Sequence, residues 1–149
     1  MRIFVDADSC PRQVRELILR SSKRVNIPVI FAANRAIPGS ADGAIMEICP
    51  PGAGSADDRI VELATPDDLT VTRDLPLAER LVNKQVIVMD DRGRIYTSDN
   101  IKYYRSLRDF SVNLAENNLG MERTAGYGKK DLKKFADSFD KILRKLINH

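Results

Sequence analysis

The sequence predicts an α/β protein in three layers, with a mostly parallel central sheet covered by helices on both faces. Three features of the 149-residue chain support this. Its candidate strands are short runs that are apolar throughout, as in strands buried on both sides, and do not alternate apolar with polar. Segments with helical spacing separate one run from the next, which is how parallel strands are joined. No internal repeat or low-complexity tract breaks this order, so residues 1–149 are expected to form one domain.

Arg2-Ile-Phe-Val5 reads as a buried strand ending at Asp6. Pro11 opens an amphipathic helix through Val14, Leu17 and Ile18 that closes near Arg24, proline being well suited to a first helical turn. Pro28-Val-Ile-Phe-Ala32 is a second strand, ending in Asn34. Residues 36–56 are rich in Pro, Gly, Ser and Ala, and only Ile45-Met-Glu-Ile48 looks strand-like. Asp57 to Ala64 is a short helix, Leu69 to Thr72 a strand, Pro76 to Val82 a helix, and Gln85 to Met89 another strand followed by a turn at Asp91–Arg94. Two helices finish the chain. The first runs over 98–117 with Ile101, Leu107, Phe110 and Leu114 inward. The second runs over 130–147, with Leu132, Phe135, Ala136, Phe139, Ile142, Leu143 and Leu146 at clean helical spacing. Gly120 to Gly128 reads as a loop between them.

Composition narrows the chemistry. The one histidine is His149, so imidazole-based nucleophilic catalysis and a histidine-rich zinc site are excluded from the interior. Two cysteines, Cys10 and Cys49, make no disulfide framework. The longest apolar run, Ile27 to Ala33, contains Pro28 and falls far short of the about 20 residues of a membrane span. With no apolar leader at the N-terminus, a cytoplasmic protein with reduced thiols is expected. The 24 basic and 21 acidic residues leave a net charge of +3, unevenly spread. Residues 1–100 hold 13 Lys/Arg against 15 Asp/Glu, and residues 101–149 hold 11 against 6. The basic part suits either a clamp for an anionic substrate or an ordinary solvated helix face.

In open parallel sheets, ligands bind outside the carboxyl ends of the strands. Aspartates recur there: Asp6 and Asp8 after the first strand, Asp74 after the Leu69 strand, Asp90 and Asp91 after the next, and Asp57 and Asp58 at a helix start. Each alone suits a turn or helix cap. Together they suit a hard divalent cation, because an oxygen-only ligand set selects Mg²⁺ or Mn²⁺ over zinc and its chemistry needs no histidine.

Phe4-Val-Asp-Ala-Asp-Ser-Cys-Pro11 resembles the opening motif of the YaiI/YqxD family of bacterial proteins. The likeness continues at Ala32-Ala-Asn34, Ala56-Asp57, Asp68-Leu-Thr-Val-Thr-Arg-Asp-Leu-Pro-Leu-Ala78, Arg92-Gly93 with Tyr96-Thr97, and Arg108-Asp-Phe110, and so spans nearly the whole chain. The resemblance implies a PIN-like, Rossmann-like nuclease domain that cleaves RNA with Mg²⁺ or Mn²⁺. The acidic set would be Asp6, Asp8, Asp57 and Asp74, with Thr72 completing a Thr-x-Asp pattern. Gly54 stands where the family pattern has a further aspartate, and Thr124-Ala-Gly126 is only loosely similar.

Three functions follow as alternatives. In a metal-dependent phosphodiesterase, Asp6, Asp57 and Asp74 would hold the cation and Asp8 would ligate it or orient water. Thr72 or Asn34 would orient phosphate or water. Arg12, Arg15, Arg73, Lys129, Lys130, Lys133 or Lys134 would contact the nucleic acid backbone. In a haloacid-dehalogenase-like phosphatase, Asp6 would be the nucleophile, Asp8 the acid, and Asp90 and Asp91 the magnesium ligands. The third alternative is a nucleic-acid-binding module without turnover, to which Tyr103, Tyr104 and Tyr127 would offer stacking surfaces. Cys10 reads as a small buried hydrophobe or a helix-start thiol, Cys49 as core or loop, and Arg108 with Asp109 as a structural pair beside a core Phe110.

Overall fold

In the computed structural model, residues 1–37, 43–52, 54–116 and 126–148 are described, with backbone only over 111–116. Strand β1 (Ile3–Asp6) leads through a single 3₁₀ turn (Ala7–Ser9) into helix α1 (Arg12–Val25). Asn26, in the left-handed region at φ 58°, ends that helix by donating its N–H to Lys23 and Ser22. Then follow β2 (Val29–Ala33), β3 (Ala44–Ile48), α2 (Ser55–Leu63), β4 (Leu69–Val71), α3 (Leu75–Asn83), β5 (Ile87–Met89), β6 (Ile95–Tyr96), α4 (Ile101–Glu116) and α5 (Lys129–Ile147).

The six strands form one sheet in the order β3-β2-β1-β4-β5-β6, parallel except for the β5–β6 hairpin. The chain winds outward from β1 through β2 to β3, then returns to lay β4 on the other side of β1. Val5 therefore pairs with both Phe31 and Val71. The winding direction reverses between β1 and β4, and the crevice that opens there lies beyond Asp6 and Val71.

Neighbouring residues of β1 point to opposite faces. Ile3 and Val5 join a core with Val14 and Ile18 of α1 and Phe135, Phe139 and Leu143 of α5. Phe4 joins a second core with Ile60 of α2, Leu77 and Leu81 of α3, and Ile101 of α4. Helices thus cover both faces, as the all-apolar strands required. No helix among the described residues is long and apolar enough to cross a membrane.

The structure differs from expectation in four places. Helix α2 begins at Ser55, after Gly54 takes a left-handed φ of 79°, so Asp57 lies within its first turn and does not open the helix. β6 forms where only a turn was expected. Residues 97–100 make a turn before α4, with the Thr97 N–H on the Asn100 side chain and the Asn100 N–H on Thr97 Oγ1. Finally, Ile101 is buried as expected, but Leu107 is 44% and Phe110 60% exposed. Their spacing marks an apolar helix face, but α4 packs on α3 near its start, where Arg105 bonds Glu79, and residues 106–110 are exposed. Leu114, Asn117 and most of the 120–128 loop, including Thr124, lie outside the residues described at side-chain level, as does His149.

Candidate acidic site

Asp6 ends β1 and is buried; Thr72 continues β4 by donating its N–H to the Met89 carbonyl. The switch in strand order sets these two side by side. Thr72 Oγ1 donates to Asp6 Oδ2 at 3.0 Å and accepts the Asp74 N–H at 3.0 Å. Ser9 Oγ, from the 3₁₀ turn, reaches the same Asp6 oxygen at 3.1 Å. Asp74 caps α3, its Oδ1 accepting the Leu77 N–H at 3.0 Å. One oxygen each on Asp6 and Asp74 is left outside these bonds.

Asp57 approaches from α2. Burial raises its pKa first, the charges of Asp6 and Asp74 add to this, and Arg80 opposes it; the carboxyl is pushed up to about 6. Asp6 is also raised, by burial against the pull of its Thr72 and Ser9 bonds, with Asp74 and Asp8 adding repulsion. Three helix or strand ends thus bring mutually repelling carboxyls to one point. Asp8 lies at the margin, exposed, with Oδ2 accepting the Asn34 N–H at 3.2 Å. Asn34 in turn accepts Ser55 Oγ at 3.0 Å, tying the end of β2 to the start of α2. Among the described residues no group of three carboxylate, thiol or imidazole side chains is already arranged to hold a metal ion.

The basic candidates disperse. Arg73 pairs with buried Asp91 at 2.7 Å, and the two line a small cleft with Asp6, Ser9 and Thr72. Arg12 bonds Glu16 at the surface, and Arg15 donates to the Cys10 carbonyl at 2.7 Å. Lys129 and Lys130 lie exposed at the start of α5, and among the described residues neither bonds the acidic set. Asp90 is occupied by the hairpin turn, accepting the Arg92 and Arg94 N–H groups and the Tyr96 hydroxyl. Cys10 is buried and its thiol is pushed up to about 12, chiefly by burial, and Cys49 is buried as well. Arg108 and Asp109 form an exposed ion pair at 3.9 Å. Sequence reasoning missed Ser9 and the Arg73–Asp91 pair. Ser9 was legible in principle, as the residue after Asp-x-Asp, but the ion pair depends on strand order.

Comparison with known proteins bears on this geometry. The profile of the family described as "Uncharacterized BCR, YaiI/YqxD family" matches residues 4–145. The chain belongs to the YaiI/YqxD family. A "UPF0178 protein" of Treponema denticola is 44% identical over 147 residues, covering 99% of this chain and 94% of the relative. Those of Trichlorobacter lovleyi and Myxococcus xanthus are 38% and 40% identical, each covering 99% of this chain and 96% and 97% of themselves. No solved structure matches the chain. Two YaiI/YqxD motifs supply most of the site: Val5-Asp-Ala-Asp-Ser9 gives the Asp6 end of β1, and Val71-Thr-Arg-Asp74 gives the β4 end and the α3 cap.

Proposed function

We propose that the chain is a divalent-cation-dependent phosphodiesterase of PIN-like type, with RNA as substrate in preference to DNA. The observation that carries this reading is the convergence of Asp6, Asp57 and Asp74 at the β1/β4 switch, tight enough for Asp6 and Asp74 to help push Asp57 up to about 6. Folding such repulsion into a crevice is costly unless the charge has a use. The donor chemistry fits Mg²⁺ or Mn²⁺, being oxygen only. Held by Asp6, Asp74 and Asp57, such an ion would polarise a phosphoryl oxygen and acidify a bound water.

The chain's own groups have separable roles. Thr72 and Ser9 fix the Asp6 carboxylate by engaging one oxygen and leaving the other to face the crevice. The same Thr72 hydroxyl holds the Asp74 backbone, so one side chain sets the spacing of two carboxylates. Asp57, pushed up to about 6 by burial and by the charges of Asp6 and Asp74, is the carboxyl whose repulsion a bound cation would relieve. Asp8 and Asn34, joined at the rim, suit orientation of substrate or water. The phosphatase alternative draws less support, since Asp90 is held by its turn and Asp91 by Arg73. The test is cleavage of single-stranded RNA with Mn²⁺. Activity should vanish in EDTA and in Asp74→Asn, and survive in Asp91→Asn. Turnover that persists in EDTA overturns the reading.

A further inference from the structure

The turn joining β5 to β6 faces two ways. Asp91 lines the cleft beside Asp6, while Arg92, Gly93 and Arg94 form one wall of an open groove of about 550 Å³ whose other wall is Lys134, Asp137 and Ser138 of α5. Three cations stand there against two carboxylates, Asp137 on the wall and Asp131 beside it. Arg92 pairs with Asp131 at 3.3 Å and reaches Asp91 at 3.8 Å, Lys134 also acts on Asp131, and among the described residues Arg94 has no carboxylate within ion-pair distance. Gly93 seats the turn on α5. At φ +85°, a Cβ would meet the Lys134 carbonyl oxygen at 2.6 Å, so the groove floor is fixed by close backbone approach. Tyr127 secures the same joint, donating its hydroxyl to the Asp91 carbonyl at 2.6 Å.

An aromatic ledge continues from the groove. The Arg94 guanidinium lies 4.0 Å from the Tyr104 ring centroid, and Tyr104 meets Tyr103 edge to face at 5.3 Å. Tyr103 is 61% exposed, with Leu107 and Phe110 exposed further along the same face of α4. A positively charged groove leading to exposed rings is what single strands require, because phosphates need cations and unpaired bases need flat faces.

We propose that this groove and the Tyr103–Tyr104 ledge form a binding track for single-stranded nucleic acid, with phosphates along Arg92, Arg94 and Lys134 and a base stacked on Tyr103. The track rests on the proposed nuclease reading only for its choice of polyanion, and it operates without cleavage. The test is fluorescence anisotropy of a labelled oligouridylate with the full chain in EDTA. Tyr103→Ala should weaken binding about tenfold and Tyr103→Phe restore it. Lys134→Gln should lower the slope of log affinity against log salt by about 0.7, with Lys145→Gln, further along α5, as the unaffected control. Wild-type affinity in both Tyr103→Ala and Lys134→Gln, an equal loss in Lys145→Gln, or the same Tyr103 dependence with a duplex or a polyglutamate peptide would overturn the proposal. The two readings fail separately. Cleavage surviving in Asp74→Asn removes the aspartate mechanism and leaves the track, while unchanged binding in the track variants does the reverse.

Discussion

Replacing Asp57 by asparagine is expected to stabilise the metal-free protein. The Asp57 carboxyl moves from 3.8 to about 6 on folding. Each pKa unit corresponds to about 1.36 kcal/mol, so ionised Asp57 costs the fold about 3 kcal/mol. The side chain is half-buried, and solvent screening halves this to about 1.5 kcal/mol. Asparagine also forfeits the favourable interaction of a carboxylate with the first turn of α2, about 0.5 kcal/mol. The net gain is about 1 kcal/mol, or a rise in Tm of about 2–4 °C for a chain of this size. The pH dependence is distinctive. Below 3.8 the carboxyl is neutral in both states, so the variant gains nothing there. Between 3.8 and about 6 the unfolded chain ionises while the folded chain keeps its proton, so wild type loses stability steadily and then levels off. Thermal unfolding followed by circular dichroism in EDTA, at pH 8 and again near pH 4, measures the difference. A variant less stable than wild type at pH 8, or equally stabilised at both pH values, refutes the electrostatic account of the site. Mn²⁺ should then raise the Tm of wild type more than that of the variant, since the cation relieves a repulsion the variant lacks.

Four further outcomes are expected. Thr72→Val removes the donor to Asp6 and the acceptor of the Asp74 N–H, and denaturant unfolding should show a loss of about 1–3 kcal/mol that Thr72→Ser largely avoids. Phe110→Ala should change stability by less than about 0.5 kcal/mol, while Phe135→Ala, fully buried beneath the sheet, should cost about 3–5 kcal/mol. Thr70 is fully buried, and its hydroxyl has no hydrogen-bond partner among the described residues, so Thr70→Val should stabilise by up to about 1 kcal/mol in the same assay. Both cysteines should resist a thiol reagent in the folded protein and react on unfolding. Fast native-state labelling of Cys10 would contradict its burial and its thiol at about 12.

The fold was legible to the extent that local pattern dictates it. Runs such as Ile3–Val5 and Val29–Ala33 are apolar at every position because helices cover both faces, and that pattern points to a parallel sheet. Periodicity also located α1, α3 and α5 to within a residue or two. It failed at Leu107 and Phe110, because helical spacing shows which face is apolar but not whether anything lies beneath it. The two-residue β6 was too short for any pattern. It is held by the Asp90 side chain gathering two backbone N–H groups of its own turn.

The carboxylates were legible as residues at strand ends, and their relations were not. Asp6 and Thr72 are 66 positions apart in the chain, and their hydrogen bond exists only because β4 returns to pair with β1. The pairing of β4 with β5 likewise brings Arg73 to Asp91, which occupies that arginine beside the acidic cluster. The basic excess of the last third met a parallel fate. Among the described residues Lys129 and Lys130 make no ion pair, whereas Lys134, one helical turn on, closes a groove against Arg92 and Arg94 from the acidic first part of the chain. Which surface each charged residue lines is therefore set by the fold and not by position in sequence. Asp91 lines the crevice with Arg73, while Arg92, which still reaches Asp91 at 3.8 Å, and Arg94 line the groove against α5. Gly93, packed so closely on α5 that a Cβ would meet the Lys134 carbonyl oxygen at 2.6 Å, fixes the turn between the two surfaces.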